Sequence, residues 1–444
     1  MTARPKHVSH MHWPRDVEAT AEFESAAAYV EDGEGHLFVT GKAGTGKSTL
    51  LKALRDEDSH EMVVLAPTGL AAVQVGGQTI HSFFGLPPRL IKAEDIRPSR
   101  RLGLMRKLKT LVIDEVSMVR SDLMDGIDKM LRLNRKRPND PFGGVRLVMF
   151  GDLHQLPPVI TEPELGLYLT ERFGGPFFFD APAFREATAK RVELGRVFRQ
   201  RDARFLTALN HIREGSPGLE DLAMLNERVA PLDSLPRRDD YVILTPTNQV
   251  AQEINMAFLK ALPGRTVMHE ALVSGTYAET AQPTDAVLTL KEGAKVILIR
   301  NDPERRWVNG TLARVSRLDD DRVFVEIEGE EHEVEPEVWE AIRYDYDAKE
   351  DRIVETLAGS FRQLPLRLAW ALTIHKAQGM TLDRVFIDLR RGTFAHGQAY
   401  VALSRVRTLG GLAMARPLRR SDIIFDRAVT GYRDVFEALE PASA

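Results

Sequence analysis

Cysteine is absent from the 444 residues, which removes disulfides, iron–sulfur clusters and cysteine-based zinc sites. The absence fits a reducing compartment, and the cytoplasm is the expected location. No apolar run approaches the ~18 residues that a membrane span requires, so no membrane partner is expected. The opening MTARPKHVSHMHWPR carries no apolar segment of the kind found in secretory signals, and residues 1–18 read as a disordered leader. No His-Glu-x-x-His string occurs, and the histidines are scattered. An excess of positive charge is missing too, since the net charge is −4. A dedicated DNA-coating protein is ordinarily basic overall, so any affinity for nucleic acid must come from local patches. Residues 97–109 offer one, with Arg97, Arg100, Arg101, Arg106, Lys107 and Lys109 and no acid among them; RLNRKR at 132–137 offers another. The plain reading of each is a solvated helix face.

What is present is a chain of two to four units by length, with enough apolar content for a sizeable core. Its first half alternates short apolar runs with helical stretches. HLFVT (36–40), MVVLA (62–66), LKTLVID (108–114) and VRLVMFGD (145–152) read as buried parallel strands. Helices are expected over 48–55 and 121–133, so βαβ units and a parallel sheet follow. YVILTPT (241–247) restarts the strand pattern, with a helix over 248–262. From about 265 to 360 the text turns β-like: KVILIR (295–300), an Asn309-Gly310 turn, TLARVSRL (311–318) and RVFVEIEG (322–329). Alternation around Asn-Gly signals a hairpin, and the acidic EGEEHEVEPE reads as a solvent-facing edge. LAWALTIH (368–375) and RVFIDL (384–389) then resume the parallel style, which splits the second α/β unit around a small β-barrel insertion.

Chemistry enters at Gly41-Lys-Ala-Gly-Thr-Gly46-Lys47-Ser48, a phosphate-binding loop between a strand and a helix. Its glycines let backbone N–H groups curl around phosphates, and the helix N-terminus adds positive potential. Lys47 supplies a point charge for the β- and γ-phosphates, and the Ser48 hydroxyl suits Mg²⁺. Asp114 and Glu115 end an apolar strand; Asp114 is the expected second Mg²⁺ ligand, and Glu115 the group that polarises the attacking water. Gln155, in GDLHQLPP after another strand, is positioned to report the γ-phosphate. Hydrolysis also needs positive charge from a neighbouring unit, for which Arg199 and Arg405 are the candidates.

These motifs fall into an order that resembles the PIF (petite integration frequency) helicases of superfamily one, subgroup B, close to the RecD-like helicases. GKAGTGKST (41–49) resembles their motif I, APTGLAAVQVGGQTIHSFF (66–84) motif Ia, VIDEVSM (112–118) motif II and GDLHQLPPV (151–159) motif III. LGRVFRQRDARFLTALNHIREG (194–215) is similar to motif IV, LPLRLAWALTIHKAQGMTLD (364–383) to motif V and AYVALSRVRTLGGL (399–412) to motif VI. The resemblance covers about 40 to 412. It implies an α/β fold of two RecA-like P-loop domains with ATP between them: 19–192 for the first, with a short wedge insertion at 85–106, and 193–264 with 361–444 for the second. An SH3-like insertion would occupy 265–360. It also implies that Gly41, Ala43, Gly44, Thr45, Gly46, Lys47, Ser48, Thr49 and Gly379 bind ATP, that Ser48 and Asp114 hold Mg²⁺, and that Lys47, Asp114, Glu115, Gln155, Arg199 and Arg405 serve hydrolysis. Pro67, Thr68, Thr79, His81 and Phe83 of motif Ia, with Thr373, His375 and Lys376 of motif V, would meet the DNA. Hydroxyl, imidazole and ammonium groups hold phosphates without reading bases. Phe83 and Phe84 would stack on bases or else pack in the core.

The implied activity is ATP-driven, 5′ to 3′ tracking along single-stranded DNA by a monomer, with unwinding of tailed duplexes or forks. One departure stands out. The family carries a Gln upstream of motif I for adenine, whereas the first Gln here is Gln74. Three other readings use the same loop: a small-molecule kinase, a nucleotide-gated switch, and a translocase that remodels protein–DNA complexes without separating strands.

Overall fold

A computed structural model describes residues 11, 13, 17–32, 35–57, 61–160, 162–196, 202–319, 322–347, 349–350, 352–390 and 392–439. The first α/β unit is built on a seven-stranded sheet. In spatial order its strands are Glu437–Ala438, Ala189–Leu194, His36–Gly41, Arg146–Gly151, Thr110–Ile113, Met62–Ala66 and Gln78–Thr79. Every pairing in it is parallel, with Val39 opposite both Phe150 and Val192. The strands are apolar at consecutive positions because both faces are covered. Phe38, Leu65, Ile113 and Met149 enter one core, while Leu37, Val39, Val64, Val112, Val148 and Phe150 enter the other. Helices Ala21–Asp32, Lys47–Glu57 and Ser121–Arg135 flank the sheet.

The second unit carries a four-stranded parallel sheet in the order Ala371–Thr373, Val242–Thr245, Val385–Ile387, Leu412–Met414. Helices Ala203–Arg213 and Asn248–Ala261 belong to it. Between its halves lies antiparallel β structure. One sheet has five strands in the order Glu330–Val334, Val323–Ile327, Leu312–Leu318, Lys295–Leu298, Leu366–Leu368, with the acidic strand at its edge. Asn309-Gly310 is not a two-residue hairpin turn: it ends a longer loop between the strands Lys295–Leu298 and Leu312–Leu318, with Gly310 at φ +97°.

Two boundaries are corrected. The insertion is not one barrel, because Glu337–Asp347 and Arg352–Gln363 form a separate long hairpin. That hairpin reaches back to the first unit. Tyr344 is buried in the first unit's core and its hydroxyl accepts from Val64 N (3.3 Å); Arg55 pairs with Glu355 at 2.8 Å. The stretch 361–444 is also not wholly in the second unit. Tyr432 and Phe436 pack on Phe38, with ring centroids 5.7 and 5.4 Å away, and Glu437–Ala438 becomes an edge strand of the first sheet. A large apolar surface around Phe38, Phe178 and Phe184 needs a cover, and the chain's last rings supply it.

Both basic patches are largely spent within the protein. Lys107 and Lys109 pair with Glu61, Arg101 with Asp345, and Arg132 with Asp128 and Glu186. Arg135 donates to the carbonyls of Gly143, Met105, Arg106 and Leu108. In the expected wedge, the described elements are a 3₁₀ turn at Ala93–Asp95 and a helix at Leu102–Lys107. Among the described residues no helix is long and apolar enough to cross a membrane.

Candidate active site

Both units contribute to a cleft of about 890 Å³. Ala43 to Thr49, Glu115 and Gln155 line it from the first; Gly379, Thr381, Arg405, Arg407 and Thr408 line it from the second. The phosphate loop holds its curl by local means. Gly44 and Gly46 sit at φ +80° and +87°. A side chain at Gly46 would meet the Phe23 ring 2.8 Å away, so glycine is required there for space as well as for backbone. Thr45 Oγ1 donates to Lys42 O (2.9 Å), and Ala43 N donates to the Tyr400 hydroxyl of the other unit (3.2 Å). Lys47 Nζ donates to Gly41 O and Lys42 O, at 2.7 and 3.0 Å. Burial lowers the Lys47 pKa, against the pull of Asp152, Glu115 and Asp114.

Glu115 has φ +47°, a left-handed conformation that side chains adopt at a cost, and such outliers cluster at functional sites. Burial raises its pKa, and the neighbouring Asp114 raises it further; burial raises Asp114 as well. One amide of the second unit binds two of these groups: Gln378 Nε2 donates to Glu115 Oε2 (3.2 Å) and to Gln155 Oε1 (3.3 Å). On its other side Gln155 Nε2 donates to Asp152 Oδ2 (3.2 Å). Arg405 is 1% exposed yet lines the cleft, and its guanidinium donates to Val401 O, Met380 O and Ser404 Oγ. The arrangement suits removal of a proton from water beside a phosphate chain, with cations from both units facing the charge that develops.

Of the residues expected at the nucleotide, Ala43 to Thr49, Glu115, Gln155, Gly379 and Arg405 line the cleft, with Ser48 and Thr49 on the first helical turn, while Gly41 stands behind them and its carbonyl accepts from Lys47. Asp114 adjoins them at its strand end. Arg199 lies outside the described residues. Six residues that line the cleft carried no expectation, Thr381, Arg407, Thr408, Val17, Glu18 and Phe23, and neither did Asp152, Gln378 and Tyr400, which bond to its lining residues. Gln378 and Asp152 sit inside quoted motifs, beside Gly379 and before Gln155, and neighbourhood alone was the available signal. Val17, Glu18 and Phe23 fall in the segment that lacks the upstream Gln.

The residues expected at DNA are less uniform. Thr68 is exposed and caps the helix Gly69–Gln74 by accepting from Ala71 N (3.2 Å). Thr79 caps Ile80–Phe84 by accepting from Ser82 N (3.2 Å). Pro67 adjoins Thr68 and is half-buried. His81 Nδ1 lies 3.1 Å from Leu86 O; a carbonyl only accepts, so Nδ1 carries the proton and Nε2 is left for another partner. Phe83 is corrected. It is 3% exposed, packed edge-on against Phe84 (4.9 Å) and near the Tyr344 ring (6.2 Å), so it is a core residue rather than a stacking platform; Phe84 is buried with it. Thr373 is buried too. Its hydroxyl accepts from Lys376 N (3.2 Å) and shapes the turn that presents half-buried His375 and exposed Lys376.

A PIF1-like helicase family model matches residues 18–170. The chain is 34% identical to an ATP-dependent DNA helicase Pif1 of Bdellovibrio bacteriovorus over 96% of this chain and 93% of that one. It spans 62% of the length of an Emericella nidulans relative and 57% of a human one, both ATP-dependent DNA helicases PIF1. Its fold is similar to that of a Bacteroides Pif1 in complex with ADP-AlF4, with TM-score 0.87, 36% identity, and 94% and 97% of the two chains covered. Bacteroides Pif1 bound to ssDNA gives 0.67 at 35% identity over the same shares and the unliganded protein 0.86, so the arrangement here is nearer that of the two structures without DNA. With two parallel-sheet units around one phosphate cleft and a bacterial relative matched along nearly its whole length, the chain belongs to the PIF1-like helicase family.

Proposed function

We propose that the protein is an ATP-dependent DNA helicase that tracks single-stranded DNA 5′ to 3′ and separates tailed or forked duplex, acting as a single chain. The observation that carries this reading is the segment 373–379. Its His375 and Lys376 present groups suited to DNA phosphates, and two residues past Lys376 Gln378 touches both Glu115 and Gln155. Hydrolysis and grip thus share one short turn. The solved relatives bound to ssDNA and to forked DNA support the substrate, and the ADP-AlF4 complex supports the nucleotide.

In the proposed step, Glu115 takes a proton from water, the water oxygen bonds to the γ-phosphorus, and the bond to the β–γ bridging oxygen breaks. The electron pair leaves with ADP, and Lys47 and Arg405 face the charge that spreads over the phosphoryl oxygens; Arg199 is proposed to join them. Asp114 and Ser48 would hold Mg²⁺, which would offset the phosphate charge. Asp114 fits that role, since burial leaves its carboxylate short of compensation. Such an ion would take its other ligands from phosphates and water. Loss of the γ-phosphate removes the contacts that close the cleft, and alternating grip by the two units gives directed steps. One base-pair step of duplex stacking averages ~1.4 kcal/mol, a modest load for such a cycle.

The test is strand separation on duplexes with a single 5′ or 3′ tail. Unwinding of the 5′-tailed substrate alone is expected. ATP consumption and strand tracking without separation of either substrate would instead make the protein a translocase that remodels protein–DNA complexes.

A further inference from the structure

Asp152 is the best-connected carboxylate of the cleft, and it sits on the seam between the units. It is 1% exposed. Its Oδ1 accepts from His154 N (3.1 Å) and from Arg213 Nη2 (3.0 Å), and its Oδ2 accepts from Gln155 Nε2 (3.2 Å). Arg213 comes from the other unit, at the end of helix Ala203–Arg213, whose Phe205, Leu209 and Ile212 lie in the second unit's core. It is 5% exposed. Burial disfavours both charges, but each outweighs that effect on the other: with Lys47, Arg213 holds Asp152 below the ordinary carboxylate range, and Asp152 raises Arg213.

A buried ion pair is weak grounds for stability, since desolvation offsets the attraction. Its setting suggests another use. The seam is tight: a side chain at Gly397 would come within 2.2 Å of Gln155 O, and His396 Nε2 donates to Leu153 O (3.0 Å). His154 Nδ1 donates to Arg213 O (3.0 Å), and the His154 ring stacks on Phe425 at 5.9 Å. Among the described residues, Arg213 Nε, His154 Nε2 and Gln398 Nε2 are buried without a hydrogen-bond partner. The contacts that are made run without a break from Gln155 through Asp152 to Arg213.

We propose that Arg213 is a positioning residue for the Gln155 amide. It holds Asp152 from the second unit, Asp152 holds Gln155, and a change of γ-phosphate state at Gln155 is passed across the seam through this chain of contacts. The inference rests on the reading of the cleft as a DNA-coupled ATPase.

The test uses the full chain with Arg213→Gln, Asp152→Asn and the double variant. Melting temperature, KM for ATP and kcat are measured with and without oligo(dT). Each single variant leaves a buried charge without its partner and lowers the melting temperature. The double variant leaves none and recovers much of it. A coupling role predicts that the double variant still loses about tenfold or more in DNA-stimulated kcat, the size of one transition-state contact, while KM moves far less. Arg213→Lys keeps the charge and recovers part of kcat. Recovery of DNA-stimulated kcat in step with melting temperature would reduce the pair to a structural tie and overturn the proposal. If oligo(dT) does not stimulate even the wild type, the DNA-motor reading falls, and the same comparison made on basal kcat still decides the role of Arg213.

Discussion

The nucleotide cleft and the edge proposed to face DNA are built in different ways. In the cleft, groups from both units converge on a few ångströms and are largely buried; burial raises Asp114 and Glu115, and the Gln378 amide holds Glu115 from across the seam. At the edge, Thr68, Thr79, His81, His375 and Lys376 are spread over two separate segments, and their polar atoms serve mainly as helix and turn caps. Bond-breaking needs charge fixed at one point, and preorganised groups in a water-poor site supply it. Tracking along a strand needs many weak contacts that form and release, and half-exposed hydroxyls and cations supply those. A single substitution should therefore be severe in the cleft and mild at the edge.

Glu115→Gln gives the largest expected loss among substitutions that leave nucleotide binding intact. The amide keeps the shape but cannot take the proton, so ATP turnover falls ~10²- to 10⁴-fold while ATP binding, followed with a fluorescent analogue, persists. Near-normal turnover would move the proton acceptor elsewhere and undo the cleft half of the comparison. Phe83→Ala comes next. A ring buried among Phe84 and Tyr344 should cost about 3–5 kcal/mol in denaturant unfolding on removal, with ssDNA affinity little changed. A collapse of affinity at unchanged stability would restore the ring to the DNA path. Gln378→Ala removes the amide shared by Glu115 and Gln155, and about a tenfold loss in kcat is expected, with KM for ATP moving less. The smallest effect is at Lys376→Ala, where the salt dependence of ssDNA affinity should flatten by about 0.7 in its log–log slope, the share of one phosphate contact on a single strand. An unchanged slope would place Lys376 off the strand's path.

The same contrast decides how much was legible in the sequence. The phosphate loop, Asp114-Glu115, Gln155 and Arg405 could be read because each lies in a short string whose backbone geometry is local: a strand end, a glycine turn, a first helical turn. The parallel strands were legible because burial on both faces makes them apolar at consecutive positions. Phe83 and Tyr344 are 261 positions apart, so nothing near Phe83 announces the ring that covers it. The return of Tyr432 and Phe436 to the first sheet is likewise a matter of which distant surface needed covering. Arg213 and Tyr400 reach the cleft from helices whose periodicity describes only their own packing. The pairing of the basic patch at 97–109 was hidden for the same reason, since Glu61 and Asp345, the partners that neutralise part of it, stand far off in the chain.

Coupling between the cleft and the edge proposed to grip the strand is read from the rate of ATP hydrolysis with and without single-stranded DNA, with Lys47→Ala as control. Strong stimulation by DNA is expected in the wild type, with turnover abolished in Lys47→Ala because the phosphates lose their point charge. Hydrolysis at one rate with or without DNA would contradict the coupling, and Lys47→Ala retaining full activity would contradict the site itself.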